Sequence, residues 1–207
     1  MHNTVVGNIM KKVIFILVIT FAFRTGWAQL LDSMALAMQP TYTDLQEALK
    51  DPDNVVKLEL RKKKLKGFPM QVLHLKNLQY LDLSGNKITE LPDSIVTLKY
   101  LQYLIVSRTG LESLPKNIGE MKRLKHLNVN QNELGMLPYS FGELESLEVA
   151  DLWSNNLDYF PESMRKLKNL QWMDLRNILI PKEHQQRIQE MLPESTIHFS
   201  PPCNCAW

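Results

Sequence analysis

Cysteine is nearly absent from this sequence: the 207 residues contain only Cys203 and Cys205, both in the tail SPPCNCAW. Two cysteines separated by one residue close a small, strained ring and cannot link distant parts of a fold. No further Cys or His stands near them at the spacing of metal ligands. We therefore expect an apolar core to hold the fold, and we assign no cofactor, metal or redox site to this pair.

The sequence also lacks an excess of charge of either sign. Its 24 lysine and arginine and 22 aspartate and glutamate residues leave a formal net charge of +2 and occur in mixed order. Such a chain has no field strong enough to attract a phosphate backbone, so we expect no nucleic-acid partner. With 44% apolar and 22% charged residues, the composition is that of one globular domain.

No apolar run is long enough to span a bilayer. The run VIFILVITFAF covers residues 13 to 23, whereas a spanning helix needs roughly 20 residues. Two lysines precede it, and the small-residue ending Gly26-Trp27-Ala28 follows it, which completes the pattern of an export signal. We predict a signal peptide over 1–28, cleaved before Gln29, and a mature chain that is secreted, periplasmic or on the cell surface and does not span the membrane.

Two alternatives stay open for this segment. An uncleaved anchor or a buried strand would also be apolar, although Arg24 closes the run early for a spanning helix. Met10 is an alternative start, because the residues before it carry no charge and add nothing to the signal. If the segment does not act as a signal, the chain stays in the cytoplasm.

Catalytic signatures are missing as well. The sequence contains no GxxxxGK[ST], HExxH, GxSxG or GxGxxG motif. His74, His126 and His184 are isolated in the sequence, and a lone histidine is more often a surface or stacking residue than a ligand. The chain is therefore predicted not to be an enzyme.

A repeat is present instead. Apolar residues recur every 23 positions, without insertion or deletion, at three places in a short alternating pattern. Alternation of this kind predicts a strand with one buried face, and a fixed period of this length predicts a solenoid. The three series are Val55, Leu78, Leu101, Leu124, Leu147 and Leu170; Leu58, Leu81, Leu104, Leu127, Ala150 and Met173; Leu60, Leu83, Val106, Val129, Leu152 and Leu175.

The second half of each unit contains an aromatic or leucine residue followed by proline. Proline stops the strand, and apolar residues three positions apart follow it, which suits a loose helical turn or a 3₁₀ segment. The proline pairs are Phe68-Pro69, Leu91-Pro92, Leu114-Pro115, Leu137-Pro138 and Phe160-Pro161.

These residues resemble the leucine-rich repeat family, with its pattern LxxLxLxxNxLxxLPxxIxxLxx. The resemblance covers about 55–180 and is similar to the class found in plant intracellular Ras-group-related repeat proteins and in many bacterial repeat proteins. It implies an α/β solenoid shaped like a horseshoe, with a parallel sheet on the concave face and short helical or 3₁₀ segments on the convex face. It also implies recognition of proteins, not catalysis.

Further features of the repeat unit and its flanks complete the predicted organisation. Asn86, Asn132 and Asn155 occupy the asparagine position, where an amide can bond open backbone groups, whereas Lys63 and Thr109 depart from it and predict a weaker ladder. We predict helical caps at both ends. The predicted segments are an N-terminal cap over 41–54 with Asp44 at its N-cap, about six repeats over 55–180, a C-terminal cap helix and strand over 181–200, and a tail over 201–207.

Residues between the buried strand positions should face the concave side. They form three rows across the sheet, and the rows contain several aromatic side chains of the kind that dominates binding hot spots. The same aromatic residues could instead stabilise neighbouring strands, and Trp153 could stack with Arg176. The predicted partner-binding residues are Tyr80, Tyr103, Ile105, His126, Trp153, Trp172 and Arg176.

The sequence thus predicts an exported, monomeric, non-enzymatic module that binds a protein or peptide across its concave face. A structural or adhesive surface protein acting through its convex side or ends is the first alternative. A cytoplasmic signalling scaffold is the second. An enzyme using Asp82, Asp151 and Asp174 or the cysteine pair is the third, and it lacks the loop ligands that would complete a site.

Overall fold

The structure, a computed structural model, describes residues 30–201. The predicted signal peptide and the tail that holds Cys203 and Cys205 lie outside the described residues. Within them, eight strands form one parallel sheet in chain order. The strands are β1 Thr41–Tyr42, β2 Lys57–Glu59, β3 Tyr80–Asp82, β4 Tyr103–Ile105, β5 His126–Asn128, β6 Val149–Asp151, β7 Trp172–Leu175 and β8 Thr196–Phe199.

Short helices connect the strands on the other side of the sheet. Among residues 30–201 the α-helices are α1 Ser33–Ala37, α2 Leu45–Ala48 and α3 Lys182–Met191. The 3₁₀ helices are η1 Pro52–Asn54, η2 Met70–His74, η3 Asp93–Thr97, η4 Ile118–Glu120, η5 Tyr139–Glu143 and η6 Glu162–Lys166. The predicted solenoid of parallel strands and 3₁₀ segments is confirmed.

Strand register follows the 23-residue interval. Tyr80 pairs with Tyr103, Tyr103 pairs with His126, and the same step continues to Val149 and Trp172. Because the step is constant, every concave side chain has its counterpart beside it on the next strand, as the repeat predicts. Each row of the sequence is therefore a physical row across the sheet.

The core lies between the sheet and the 3₁₀ layer. All of its central strand residues, including Ala150, are fully buried, and so are the apolar residues of the 3₁₀ layer such as Ile95 and Phe141. Each large apolar side chain removed from water contributes about 1.5–3 kcal/mol, and each unit can bury its own only against its neighbours. The inward face of the repeat is thus confirmed.

Each proline of the repeat begins a 3₁₀ segment. The carbonyls of Pro69, Pro92 and Pro138 accept hydrogen bonds from the amides of Val72, Ile95 and Phe141, three residues on. Proline suits this place because its φ is already fixed near the value needed and because it has no N–H to leave unpaired. The sequence pair therefore sets the corner of each unit.

Buried asparagines join consecutive units. The Asn132 amide donates to the carbonyls of Val129 in its own unit and Val106 in the preceding unit, at 2.9 and 2.7 Å. Asn86 and Asn155 repeat both bonds. The Thr109 hydroxyl donates to the Val106 carbonyl in its own unit at 3.3 Å and to the Asn132 Oδ1 in the next unit at 3.0 Å. Among residues 30–201 it bonds no carbonyl of the preceding unit, so the third unit lacks that bond of the ladder.

The amino-terminal flank differs from the single helical segment predicted over 41–54. Asp44 does cap a helix, since its carboxylate accepts from the amides of Gln46 and Glu47. That helix spans only Leu45–Ala48, however, and Thr41–Tyr42 before it forms a strand beside β2. Thr41 and Tyr42 are β-branched and aromatic, the residue types that favour a strand.

The carboxyl-terminal flank contains helix α3 over Lys182–Met191 and strand β8 over Thr196–Phe199. Here a ten-residue α-helix replaces the 3₁₀ segment, so the step from Trp172 to its partner Thr196 is 24 residues. Ile188 and Met191 of α3 are buried in the core. The chain thus adds an eighth strand to the concave face.

Candidate functional site

The first concave row runs across the middle of the sheet. Each of its members is half-buried, because one side packs against the neighbouring strand and the other faces the open concave side. The row consists of Lys57, Tyr80, Tyr103, His126, Val149 and Trp172.

Three rings of this row are in contact, and we call Tyr80, Tyr103 and His126 the aromatic row. The Tyr80 and Tyr103 ring centroids are 5.8 Å apart with an interplanar angle of 33°. Tyr103 and His126 are stacked, with centroids 4.4 Å apart and planes at 10°. The Lys57 ammonium on β2 lies 5.0 Å from the centroid of the Tyr80 ring, which is a cation–π distance.

Burial sets the protonation of these rings. It raises the pKa of the Tyr80 and Tyr103 phenols, so both stay neutral at physiological pH. It lowers the pKa of His126 from its ordinary value of 6.5, although the Glu148 charge opposes this. The aromatic row therefore presents uncharged, weakly polar rings at neutral pH.

The second row contains three aspartates on different strands. Asp82 is buried and its Oδ2 lies 2.6 Å from the Arg61 Nε. Asp174 is also buried and accepts three side-chain hydrogen bonds from Arg176, the shortest at 2.6 Å. Burial alone would raise the pKa of Asp174, but the Arg176 hydrogen bonds and charge outweigh it and hold that pKa below its ordinary value.

Asp151, the third aspartate, has amides where the other two have arginines. Its Oδ2 accepts from the Nδ2 atoms of Asn128 and Asn130 at 3.0 and 2.6 Å, and its Oδ1 accepts from the Trp153 backbone N–H at 3.3 Å. Within residues 30–201, no lysine or arginine nitrogen lies within 4.0 Å of it. Burial raises the pKa of Asp151 above its ordinary value.

Two tryptophans flank Asp151 on the concave side. Trp153 follows Asp151 by two residues, just beyond the end of β6, and Trp172 is on β7 beside Val149. Both tryptophans are half-buried. The Arg176 guanidinium donates to Asp174, and within residues 30–201 no cation–π contact joins it to Trp153, the alternative considered above. Trp172 is tilted against His198, with centroids 5.7 Å apart.

The predicted binding residues thus fall into two groups. Tyr80, Tyr103 and His126 are in contact, and Ile105 lies in the second row beside Asn128. Around Asp151, Trp153, Trp172 and Arg176 form the second group. Val149 separates the groups in the first row.

Sequence reasoning missed His198 and a pair of glutamines. His198 lies beside Asp174 in the second row, and alternation along the predicted strand at 196–199 would have found it. Gln79 and Gln102, just before β3 and β4, are buried and bond the Leu31 backbone at 2.9 Å each. Their 23-residue spacing was a signal, but nothing in the sequence indicated that residue 31 returns to this edge.

Neither a metal site nor a membrane-spanning helix is found among the described residues. Across residues 30–201, no group of three His, Cys, Asp or Glu side chains is arranged to hold a metal ion. In the same part of the chain, no helix is long and apolar enough to cross a bilayer.

Comparisons with known proteins agree with this geometry. A family model described as leucine-rich repeat region matches residues 54–200. A leucine-rich repeat protein of Leptospira interrogans has a similar structure, with a TM-score of 0.63 and 31% identity over 80% of this chain. This chain spans 47% of that protein, or about half its length. No curated protein matches the sequence.

Two plant structures are also similar. One is the peptide hormone receptor RGFR1 in complex with RGF2, with a TM-score of 0.55 and 29% identity over 64% of this chain and 22% of the receptor. The other is PEPR1 in the PEPR1-AtPEP1 structure, with a TM-score of 0.51 and 28% identity over 56% of this chain and 17% of that one.

Proposed function

This chain belongs to the leucine-rich repeat family, and we propose that it is a non-enzymatic module that binds a protein or peptide partner across its concave face. The observation that carries the proposal is the aromatic row, in which Tyr80, Tyr103 and His126 are in contact and half-exposed on that face. Stacked rings hold each other in place, so they lose little conformational freedom when a partner covers them.

The second group of concave residues supports the same face. Trp153 and Trp172 flank Asp151, whose carboxylate bonds only amides of the protein. A partner with a basic side chain would find a carboxylate and two aromatic faces there, which together attract a cation. We infer that an extended partner lies across both groups, with apolar contacts on the aromatic row and a basic group at Asp151.

Similar proteins support a peptide partner in particular. RGFR1 is a peptide hormone receptor whose structure is a complex with RGF2. We propose that this chain also binds a peptide, as a monomer and without binding nucleic acid. The partner's identity would then be set by the rings and by Asp151.

The test is selection of peptides that bind the purified chain, followed by measurement of their Kd for variants. We expect Tyr103→Ala and Trp172→Ala each to raise Kd at least about tenfold, since aromatic hot spots contribute about 2 kcal/mol or more. Tyr139→Ala is the matched control, because Tyr139 is 63% exposed but lies in the 3₁₀ layer. Circular dichroism of each variant separates lost binding from lost folding.

Unchanged affinity of folded Tyr103→Ala and Trp172→Ala variants would disprove concave recognition. Loss of affinity in Tyr139→Ala alone would favour the alternative of a structural or adhesive protein acting through its other side. That alternative has one supporting observation: Met136, Tyr139 and Tyr159 are each more than half exposed there.

Export belongs to the same proposal. We propose that residues 1–28 direct secretion and that the mature chain begins at Gln29. Mass spectrometry of the protein from its native cells would give the mature amino terminus. An intact Met1 or Met10 on protein in the cytoplasm would instead support the signalling alternative.

A further inference from the structure

Basic and acidic residues are interspersed along most of the chain, but one segment contains basic residues without acidic ones. The first repeat contains the segment RKKKLK over 61–66, and no aspartate or glutamate occurs from Leu60 to Leu81. We call Lys62, Lys63, Lys64 and Lys66 the lysine turn. All four are exposed and lie in the turn that follows β2, at the carboxyl edge of the sheet.

The fold does not explain why lysines occupy these positions. Lys64 has a left-handed backbone with φ 59°, and the equivalent residue of the third unit is Gly110, with φ 78°. Only glycine adopts such a conformation without steric cost. Lys63 replaces the buried asparagine of other units, and its side chain is exposed, so it contributes nothing to the ladder. Lysine at both places is therefore unfavourable for folding.

Several cations elsewhere in the chain are paired with carboxylates of a neighbouring unit. Lys122 lies 3.0 Å from Glu145, and Lys125 lies 3.2 Å from Glu148. Within residues 30–201, no carboxylate oxygen lies within 4.0 Å of any of the four nitrogens of the lysine turn. Like charges this close repel each other unless an anionic partner neutralises them.

Charge along the carboxyl edge falls from the first unit to the fifth, and the sixth unit has the single cation Arg176 at the position equivalent to Arg61. The equivalent turns of the second and third units each hold one cation and one carboxylate, Lys87 with Glu90 and Arg108 with Glu112. Those of the fourth and fifth units hold Glu133 and Asp158 and no cation. The positive field is therefore strongest at the first unit, where Arg61 connects the lysine turn to Asp82 on the concave face.

We propose that the lysine turn is a docking surface for an acidic segment of the protein or peptide partner. An extended partner on the concave face continues onto this turn with its acidic residues over the first unit. The inference extends the proposed function by a second contact region, but the surface can be tested without the concave site.

A protein partner fits this surface better than an anionic membrane does. Membrane-surface binding combines basic residues with apolar anchors in one plane. The exposed apolar side chain nearest in the chain is Met70 of η2, a single residue that is 52% exposed. The more exposed pair, Met34 and Met38, lies in α1 and directly after it. Their segment is bonded through Leu31 to Gln79 and Gln102, at the opposite, amino edge of the sheet.

The test uses the full chain and a fluorescent hexaglutamate peptide, with hexaglutamine and phosphatidylserine vesicles as further probes. The variant changes the four lysines of the lysine turn to glutamine. Its matched control changes the four paired lysines Lys99, Lys122, Lys125 and Lys166 to glutamine, which alters net charge equally. Anisotropy is read at about 20 mM and about 200 mM salt, because screening separates charge-driven binding.

We expect wild-type chain to bind hexaglutamate at low salt, the lysine-turn variant to bind at least about tenfold more weakly, and the control within about twofold of wild type. A double variant, Tyr103→Ala with Trp172→Ala, should keep hexaglutamate binding. That result separates failure of this proposal from failure of the concave site.

Three outcomes would overturn the docking surface. The first is absence of hexaglutamate binding by wild type at low salt. The second is an equal loss in variant and control, which would reflect net charge alone. The third is binding to vesicles without binding to hexaglutamate, which would assign the surface to anionic lipid. A higher Tm of Lys64→Gly is expected in every case, because glycine relieves the left-handed backbone.

Discussion

The two halves of the concave face carry different chemistry on the same backbone. In the amino-terminal half, from β2 to β5, stacked rings form a continuous row and Asp82 is neutralised by Arg61. In the carboxyl-terminal half, β6 and β7 place two tryptophans beside a carboxylate, Asp151, that bonds only amides. One half offers apolar contact, and the other offers a charge.

This difference shows how the repeat separates folding from recognition. The residues that fix register are buried and recur every 23 positions, whereas the concave residues between them differ from strand to strand. A concave side chain can therefore change its chemistry without changing the path of the chain. Each strand contributes an independent element of specificity.

The largest expected effect concerns the core beneath the two halves. Leu104 in β4 and Ala150 in β6 occupy the same buried position of their units. We expect Leu104→Ala to lower the free energy of unfolding by about 2–5 kcal/mol, through lost burial and the cavity left behind. Urea denaturation monitored by circular dichroism measures the change.

The matched variant is Ala150→Leu. If the carboxyl-terminal half is packed to normal density around Ala150, the added carbons should cost about 1–3 kcal/mol. A stabilising Ala150→Leu would instead mean that this half contains a void. A cost of less than about 1 kcal/mol for Leu104→Ala would contradict collective packing of the units.

The repeat alone was enough to predict most of the fold. Its period gave the parallel strands, their register and the 3₁₀ corners, because each depends on residues a fixed number of positions apart. Asn86, Asn132 and Asn155 were recognisable for the same reason, as their bonds join equivalent atoms of adjacent units. Strand Thr41–Tyr42 and helix α1 lie outside the period, so no comparable signal predicted them.

The candidate site was less predictable than the fold. Alternation placed Tyr80, Tyr103 and His126 side by side, and the structure adds that their rings are in contact. Alternation in the sequence could not distinguish Asp151 from Asp174, because both follow an apolar residue at the same place in the unit. The distinction depends on which donor turns towards the carboxylate: Arg176, two residues further along the chain, bonds Asp174, whereas Asn130 of the preceding unit bonds Asp151.

An effect of intermediate size on stability is expected when these aspartates are substituted, and it would distinguish Asp174 from Asp151. The pKa of Asp174 is lowered in the folded chain, since its Arg176 contacts outweigh burial. Its charge therefore adds stability above the ordinary aspartate pKa of about 3.9, and this stability is lost as pH falls through the lower folded pKa. We expect Asp174→Asn to cost about 1–3 kcal/mol at pH 7, because a hydrogen-bonded ion pair is lost.

Asp151 should behave in the opposite way. Burial raises its folded pKa, so its ionisation weakens the fold as pH rises from about 3.9 through the raised value. Asp151→Asn should therefore leave stability at pH 7 unchanged or slightly higher, while weakening the binding of any basic group there. Unfolding curves of both variants from acid to neutral pH measure the difference. Equal destabilisation by both would remove the basis for treating Asp151 as available to a partner.

The smallest expected effect concerns the asparagine ladder, which Asn155 continues into the carboxyl-terminal half and which Thr109 interrupts in the amino-terminal half. The Asn132 amide bonds the carbonyl of the preceding unit, whereas the Thr109 hydroxyl does not extend to Leu83. Thr109→Asn should supply that bond and raise the free energy of unfolding by about 0.5–1.5 kcal/mol. The reverse change, Asn132→Thr, should cost at least as much, because it leaves buried backbone groups unpaired.

Chemical denaturation of the two variants beside wild type measures both changes. The comparison is informative because the Asn132 side-chain oxygen already accepts from the backbone amides of Thr109 and Leu111, so the fourth unit already bonds backbone groups of the third. If Thr109→Asn destabilises, the hydroxyl bond to Asn132 at 3.0 Å is worth more than the new amide bond. The interruption would then be an alternative way of joining units, and the two halves would be equally well bonded.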